Sequence, residues 1–403
     1  MAVNYHNLYQ IDNNEPCPCG SNILYKNCCK KSTKQNYLFT DDILHNGKRI
    51  SKIMNDLYKK TDFKTCLYPI KSECEKRIKD AHTLQDNGVL SLLCDEHQNV
   101  MVANPLKISY ENTAIVPVSR HNATTFYGFC SYHDSKVFSP IETNPYIQSD
   151  EQNFLFAYRA LAQEYHKKTR LKKSMQISFK ENPSCLTVPE VVANYRLQML
   201  AVQDSEMIKE IFDNAILSSQ NDILETLVIP YVGQLAFSTT FMCSLAYDLR
   251  YHMINDPYSF DSKRQKPLFL SAIPGQQTSY FIFSCLKQDY SEYENFFNDL
   301  NNMEIDKFRM FINNFIPLYT ENIILSPTLW NSWTRFSKRK FESLIIGDTS
   351  ELDNILSGEY DKPLTPEEML HTISVRTKTH SLFDNPHFDL FKLEKAAKMQ
   401  PKK

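Results

Sequence analysis

The stretch Cys17-Pro-Cys-Gly-Ser-Asn-Ile-Leu-Tyr-Lys-Asn-Cys-Cys29 carries the strongest chemical signal in the sequence. Two cysteines stand one residue apart, eight residues follow, and two adjacent cysteines close the segment. Structural zinc takes four thiolate or imidazole ligands in a tetrahedron. Pro18 and Gly20 suit a tight turn at the first pair, and a helical turn at Tyr25 would return the second pair to the same ion. The sequence therefore predicts a zinc knuckle with the ligands Cys17, Cys19, Cys28 and Cys29.

This segment resembles the SEC-C motif, the zinc knuckle at the C-terminus of the SecA translocase and a small appendage on many unrelated bacterial proteins. The resemblance is carried by Pro16-Cys-Pro-Cys-Gly-Ser and by Tyr25-Lys-Asn-Cys-Cys. Asn22-Ile-Leu stands where the family usually has a Gly-Lys-Lys run, which weakens a basic face and leaves the cysteines unchanged. By analogy with SecA, the resemblance implies that the knuckle contacts another protein.

Composition narrows the class of protein. The chain of 403 residues has a formal net charge of −2, so any contact with nucleic acid must come from local patches. It has only 8 glycines and neither a G-x-G-x-x-G motif nor a P-loop. The first residues do not resemble a signal peptide, and no apolar run approaches the ~18 residues of a membrane span. We therefore expect a cytoplasmic protein whose 11 reduced cysteines include metal ligands rather than disulfides.

A second set of cysteines and histidines lies between residues 66 and 142. Cys66 and Cys74 come first, and Cys130-x-x-His133 follows with the spacing of a zinc knuckle. Together these four residues could fill one tetrahedral site, so we expect a second structural zinc ion here. Cys94-x-x-His97 supplies further ligands, and the assignment of the second site stays open between these residues.

The layout of the same region resembles an HNH or treble-clef endonuclease. In that family a knuckle opens the unit, a strand ends in a histidine, and a second knuckle leads into a helix with a metal-binding residue. The resemblance implies that His82 is the general base and that Asp134 binds a divalent catalytic ion such as Mg²⁺. The first knuckle here is C-x7-C rather than C-x2-C, and the interval between His82 and Cys130 is long, with Asn104 and Asn122 among its asparagines.

Other interpretations of these residues remain open. His82 and His133 would also fit as hydrogen-bonded groups beneath a sheet. The basic stretch 166–173 would contact nucleic-acid phosphates, or would simply end a solvated helix favourably. In the first interpretation Arg159, further back on the same helix, belongs to the phosphate-contacting strip.

For the function we expect a metal-dependent nuclease of bacterial origin that acts on DNA or RNA, with phage defence as one setting for such a protein. A non-catalytic zinc-stabilised adaptor is the first alternative, and a factor associated with secretion or translation is the second.

The rest of the sequence predicts an α+β fold in three parts. They are the knuckle over 1–36, a treble-clef-like zinc module with the basic helix over 37–185, and a helical plus antiparallel-sheet domain over 186–403.

Helical periodicity predicts helices over 150–180, 189–217, 293–300 and 305–318. Apolar β-branched and aromatic runs predict strands over 227–232, 235–243, 268–273 and 278–285, the last two joined by a turn at Pro274-Gly275. We also expect a helix over 50–58, a helix start at Thr365 and a basic tail over 392–403.

Overall fold

The computed structural model describes residues 8–32, 52, 56–57, 59–75, 77–103, 115–256, 263–346 and 382–392. Asn104, the expected helix start at Thr365 and most of the expected basic tail lie outside these residues, as does most of the helix expected over 50–58.

A sheet of seven antiparallel strands organises the described residues. Its strands are β2 (Asn99–Ala103), β3 (Ile115–Ser119), β5 (Leu224–Val232), β6 (Phe237–Cys243), β7 (Leu268–Ile273), β8 (Thr278–Leu286) and β9 (Ile323–Leu325). They are arranged in the order β3-β2-β9-β6-β7-β8-β5. A second, two-stranded antiparallel sheet pairs β1 (Ile78–His82) with β4 (Thr125–Cys130).

The large sheet is covered on both faces, which explains the composition of its central strands. β6 and β7 are buried along nearly their whole length, so they are built from apolar and small residues with little polar alternation. The two edge strands each contain a proline, Pro117 in β3 and Pro230 in β5. Proline removes a backbone donor, and an edge strand tolerates that loss because one side has no partner strand.

Helices pack on the two faces of the sheet. One face carries a core formed with α5 (Tyr290–Asn301), α6 (Ile305–Tyr319), α7 (Pro327–Ser332) and α8 (Arg335–Ile346). The other face packs against α3 (Asp150–Glu181) and α4 (Pro189–Leu217). Two shorter helices, α1 (Ser131–Val137) and α2 (Ser139–Glu142), join β4 to α3.

Helices α3 and α4 form an antiparallel hairpin. Phe154 contacts Phe212 near one end of the pair, and Phe179 contacts Tyr195 near the other. Residue 185, where the sequence suggested a boundary between two parts, lies in the short connection between these helices. The large sheet takes strands from both sides of that residue, because β2 pairs with β9.

The structure confirms the α+β class and the antiparallel sheet that the sequence predicted. The helix predicted over 189–217 has these bounds, and Pro274-Gly275 lies between β7 and β8 as expected. Among the described residues, no helix combines the length and the apolar character needed to cross a membrane.

Candidate metal centres and an adjoining cleft

The four cysteines of the N-terminal knuckle converge in space. Their sulfur atoms all lie within 4.8 Å of one another, and Cys19 Sγ is 3.6 Å from Cys28 Sγ. Ligands at ~2.3 Å from a tetrahedral zinc ion are separated by about 3.8 Å, so this spacing fits that ion. Gly20 has a φ of +77°, and a Cβ there would also meet the Gln176 side chain at 2.9 Å. The positive φ therefore favours glycine at this turn, whereas the flexible Gln176 side chain on α3 could move aside for a Cβ.

The knuckle packs against the C-terminal end of α3 and the N-terminal part of α4, which lie side by side. Cys17, Cys19, Tyr25 and Cys29 share an apolar cluster with Phe179 and Leu186. Arg196 Nη2 lies 2.8 Å from Glu15 Oε2 and donates a hydrogen bond to the Gln10 backbone oxygen. The first cluster is thus joined to the helical hairpin by both apolar and ionic contacts.

A second cluster brings together Cys66, Cys74, Cys130 and His133. The sulfur atoms of the three cysteines lie 3.5, 3.6 and 3.2 Å from His133 Nδ1, in chain order. A sulfur and a nitrogen on one tetrahedral zinc ion are separated by about 3.6 Å, which matches these distances. Among the described residues, this cluster and the N-terminal one are the groups whose ligand atoms converge in this way.

Local structure explains how the second cluster assembles. Cys130 ends β4, and His133 occupies the first turn of α1. Two backbone hydrogen bonds, from Thr65 N to Tyr127 O and from Leu67 N to Gly128 O, align the segment around Cys66 with β4. A 3₁₀ turn over Lys71–Glu73 then leads directly into Cys74.

The ionisation of this cluster depends on whether a cation is present. Burial raises the pKa of the Cys66 thiol to about 12, and burial lowers the pKa of His133. A neutral imidazole is the form that binds metal, whereas a buried thiol becomes a thiolate only beside a positive charge. The other ring nitrogen of His133, Nε2, does not face the cysteines. It is buried and lies 3.7 Å from Glu73 Oε2.

Cys94 and His97, which the sequence left open as ligands, belong to neither cluster of the described region. Cys94 directly follows a short helical turn over Ser91–Leu93. The His97 side chain is 75% exposed and lies near Glu96. The C-x-x-H spacing at this position therefore does not bring either residue into a convergent cluster of the described region.

A polar cleft of about 810 Å³ adjoins the second cluster along the β1–β4 hairpin. His82, at the end of β1, and Asp134, in the first turn of α1, both line it. His82 Nδ1 donates to the backbone oxygen of Ala123 at 3.0 Å. The other polar residues of the wall include Lys64, Arg77, Lys79, Asp80, Gln85, His121, Tyr127, Glu142 and Thr143.

A buried charge network lies at the base of this cleft. Asp134 is 4% exposed, and its Oδ2 lies 3.2 Å from Lys79 Nζ. Arg159 Nη2 lies 2.6 Å from Glu142 Oε1 and 3.8 Å from Asp134 Oδ1, and its guanidinium stacks on the Phe138 ring at 4.1 Å. Asp134 Oδ1 is buried and accepts no hydrogen bond from any described residue.

The sequence left open whether Arg159 belongs to a phosphate-contacting strip, and its side chain, at 2% exposed, is not available for such a contact on the surface of α3. Glu142 and Lys79 had no assigned role in the sequence. Arg159 and Glu142 are separated by 17 residues and belong to different helices, so no local spacing pointed to their contact.

The basic stretch 166–173 forms part of α3, and many of its side chains have partners inside the protein. His166 Nε2 donates to the Phe63 backbone oxygen at 2.9 Å, and Lys173 lies over the Phe63 ring. Lys167 pairs with Glu321, and Arg170 Nη1 lies 3.4 Å from an oxygen of Asp62. These pairs reduce the positive charge that the stretch offers to an external phosphate.

Comparison with known families identifies the SEC-C motif at residues 14–31. No curated protein and no solved structure matches the chain. The matched segment contains all four cysteines of the first cluster. With the two convergent clusters, this match makes the chain a zinc-binding protein that carries a SEC-C motif.

Proposed function

We propose that this protein is a metal-dependent nuclease whose centre is the polar cleft beside the second cysteine–histidine cluster. The observation that supports the proposal best is that His82 and Asp134 line the same cleft. Their positions, at the end of a strand and in the helix after a zinc knuckle, are those implied by the HNH resemblance.

The two clusters have a structural role in this proposal. Each would hold one zinc ion through the four residues that converge in it. The second ion would join the segment around Cys66 to the junction of β4 and α1, and so would hold Asp134 in place beneath the cleft. Because thiolate ligands need reducing conditions, we include a cytoplasmic location in the proposal.

His82 has the tautomer that a general base requires. A backbone oxygen can only accept, so the contact with Ala123 makes Nδ1 the donor of the neutral ring. Nε2 is then the acceptor nitrogen of the neutral ring, the form of histidine that can remove a proton from water. Lys64 and Arg77, also in the wall, supply positive charge for the oxygens of a phosphodiester.

Asp134 and Glu142 are two carboxylates of the cleft that suit a divalent cation such as Mg²⁺, and Asp134 Oδ1, which accepts no hydrogen bond from the described residues, is consistent with that role. Such an ion would polarise the phosphate and stabilise the leaving oxygen. Lys79 must turn away from Asp134 Oδ2 for that oxygen to reach the ion, and the Lys79 side chain is 47% exposed, which permits that movement.

A non-catalytic adaptor is the second candidate, and one observation favours it. Asp134 is already paired with Lys79 and approached by Arg159, as a purely structural charge network requires. In that case the two zinc ions stabilise a binding protein, with the SEC-C knuckle as a contact surface for another protein.

The test is cleavage of labelled DNA and RNA, single- and double-stranded, with Mg²⁺ or Mn²⁺ added. We expect His82→Ala and Asp134→Asn each to lower the rate at least about 100-fold, because general-base and metal contributions are of this size. His97→Ala is the matched control, because His97 lies on the surface outside the cleft.

Zinc content and the thermal unfolding midpoint should be measured on each variant, so that lost activity is separated from lost structure. If folded His82→Ala protein cleaves as fast as the original chain, or if no nucleic acid is cleaved, the nuclease proposal fails and the adaptor is favoured.

A further inference from the structure

A second cavity, of about 310 Å³, lies directly behind the cleft. Ile141 and Asn144 line this cavity, whereas Glu142 and Thr143, between them in sequence, line the cleft. Gln85 lines both. The two cavities are therefore neighbours across one short stretch of backbone.

Three aromatic rings form part of the wall of the second cavity, which we call the aromatic pocket. The centre of the Tyr146 ring lies 5.0 Å from that of Tyr280 and 5.9 Å from that of Phe156. The rings meet at 68° and 73°, so they form a corner rather than a filled stack. Such rings are surfaces on which planar bases stack.

Arg159 supplies an unused hydrogen-bond donor at this cavity. It lines the aromatic pocket, and its buried Nε donates to no residue in the part of the chain that the structure describes. A buried donor without an acceptor is costly, so a ligand with an acceptor atom would be favoured here. The positive charge of Arg159 already faces Glu142 and Asp134, so the pocket suits a neutral acceptor better than an anion.

We propose that the aromatic pocket receives one nucleobase from a strand whose backbone lies in the cleft. The inference rests on the proposed function, which places a phosphodiester beside His82. A nucleobase is planar, uncharged and rich in acceptor nitrogen and oxygen atoms, so it matches both the rings and the Arg159 donor. The polar residues Thr83, Gln85, Asn144 and Thr278 line the same pocket and could contact its edge.

The geometry has a consequence for the class of substrate. A base that is paired and stacked in a duplex cannot enter a separate pocket unless it is turned out of the helix. The substrate is therefore a single strand, or a site in a duplex where a base is unpaired.

Binding of fluorescein-labelled oligothymidylate tests the pocket, in comparison with a fully abasic strand of the same length and charge. Anisotropy is measured without added divalent cation, so that cleavage does not interfere. We expect the base-bearing strand to bind about tenfold more tightly, as one stacked base contributes on this scale. Tyr280→Ala should remove this preference. Tyr251→Ala should keep it, because that ring is 69% exposed and lies outside both cavities.

If Tyr280→Ala does not fold, Tyr280→Phe and Tyr280→Leu make the same comparison, since the first keeps the ring and the second removes it. Equal binding of the two strands, or no binding of either, overturns the pocket proposal. Cleavage that requires His82 but shows no preference for bases would overturn the pocket alone. A base preference without any cleavage would instead overturn the nuclease and leave the pocket standing.

Discussion

Glu73 Oε2 lies 3.7 Å from His133 Nε2, while the other ring nitrogen of His133 faces the sulfur atoms of three cysteines. A carboxylate that accepts a hydrogen bond from the second ring nitrogen of a metal-binding histidine orients the ring and makes it a better ligand, and a small movement of the Glu73 side chain would make this bond. The pair therefore extends the second cluster beyond the four residues that would touch the ion.

Replacing this carboxylate should weaken zinc binding at the second cluster. For Glu73→Ala we expect zinc affinity to fall about 10- to 100-fold, the usual effect of losing such a partner. Competition with a coloured chelator measures the change, and the first cluster provides an internal reference. Glu75→Ala is the matched control, since Glu75 is an exposed acidic residue two positions away. An equal effect in both variants would show that only local charge matters.

The number of zinc ions bound per chain distinguishes cysteines whose sulfur atoms converge in a cluster from cysteines that have ligand-like spacing in the sequence alone. Cys74→Ser should remove one of the two zinc ions that the clusters could hold, because a serine hydroxyl is a poor zinc ligand. Cys94→Ser should leave the metal content unchanged, since Cys94 lies in neither cluster. Elemental analysis of protein purified under reducing conditions gives the numbers. Loss of zinc from Cys94→Ser would mean that the second site is assigned to the wrong residues.

The buried ion pair of Arg159 should be costly to break. Arg159→Met leaves Glu142 and the buried Asp134 without that cation, and we expect a loss of about 3–5 kcal/mol in the free energy of unfolding. Arg250→Met removes the arginine of another close ion pair, with Asp299, but Arg250 is 55% exposed and the loss should stay below about 1 kcal/mol. Urea denaturation compares the two. Similar losses would contradict the burial argument.

His166 should make the protein less stable in mild acid. Burial lowers the pKa of His166, which hydrogen-bonds to the Phe63 backbone and stacks on its ring. Below an unfolded-state pKa of ~6.5 the unfolded chain binds a proton that the folded chain does not, so stability falls as the pH falls. The decline stops once the pH passes the lower pKa of the folded state.

His166→Gln keeps a donor for Phe63 and removes this titration. We expect its unfolding free energy to fall less between pH 6.5 and 5.5 than that of the original chain, by at most about 1.4 kcal/mol per pH unit. Unfolding curves at several pH values measure the difference, with the exposed His97→Gln as the control. Parallel pH profiles for all three proteins would show that His166 does not carry the effect.

Much of the secondary structure could be predicted because its signals are local. The apolar spacing of α4 and α6 and the run of apolar residues in β7 and β8 reflect which faces are buried, and these patterns extend over many residues. Strand β9, over Ile323–Leu325, has three residues and joins β2 to β6. A segment this short has no readable period, so its place in the sheet depends on contacts made far along the chain.

The sequence by itself determined the N-terminal knuckle, because its four cysteines lie within one short segment whose turns suffice to bring them together. Only the tertiary structure decided which residues of the longer region converge. It joined Cys66 and Cys74 to Cys130 and His133, excluded Cys94 and His97, and buried Arg159 against Glu142. Spacing along a chain specifies geometry only over a few residues. Beyond that range, strand pairing and the burial of charged side chains decide which groups meet.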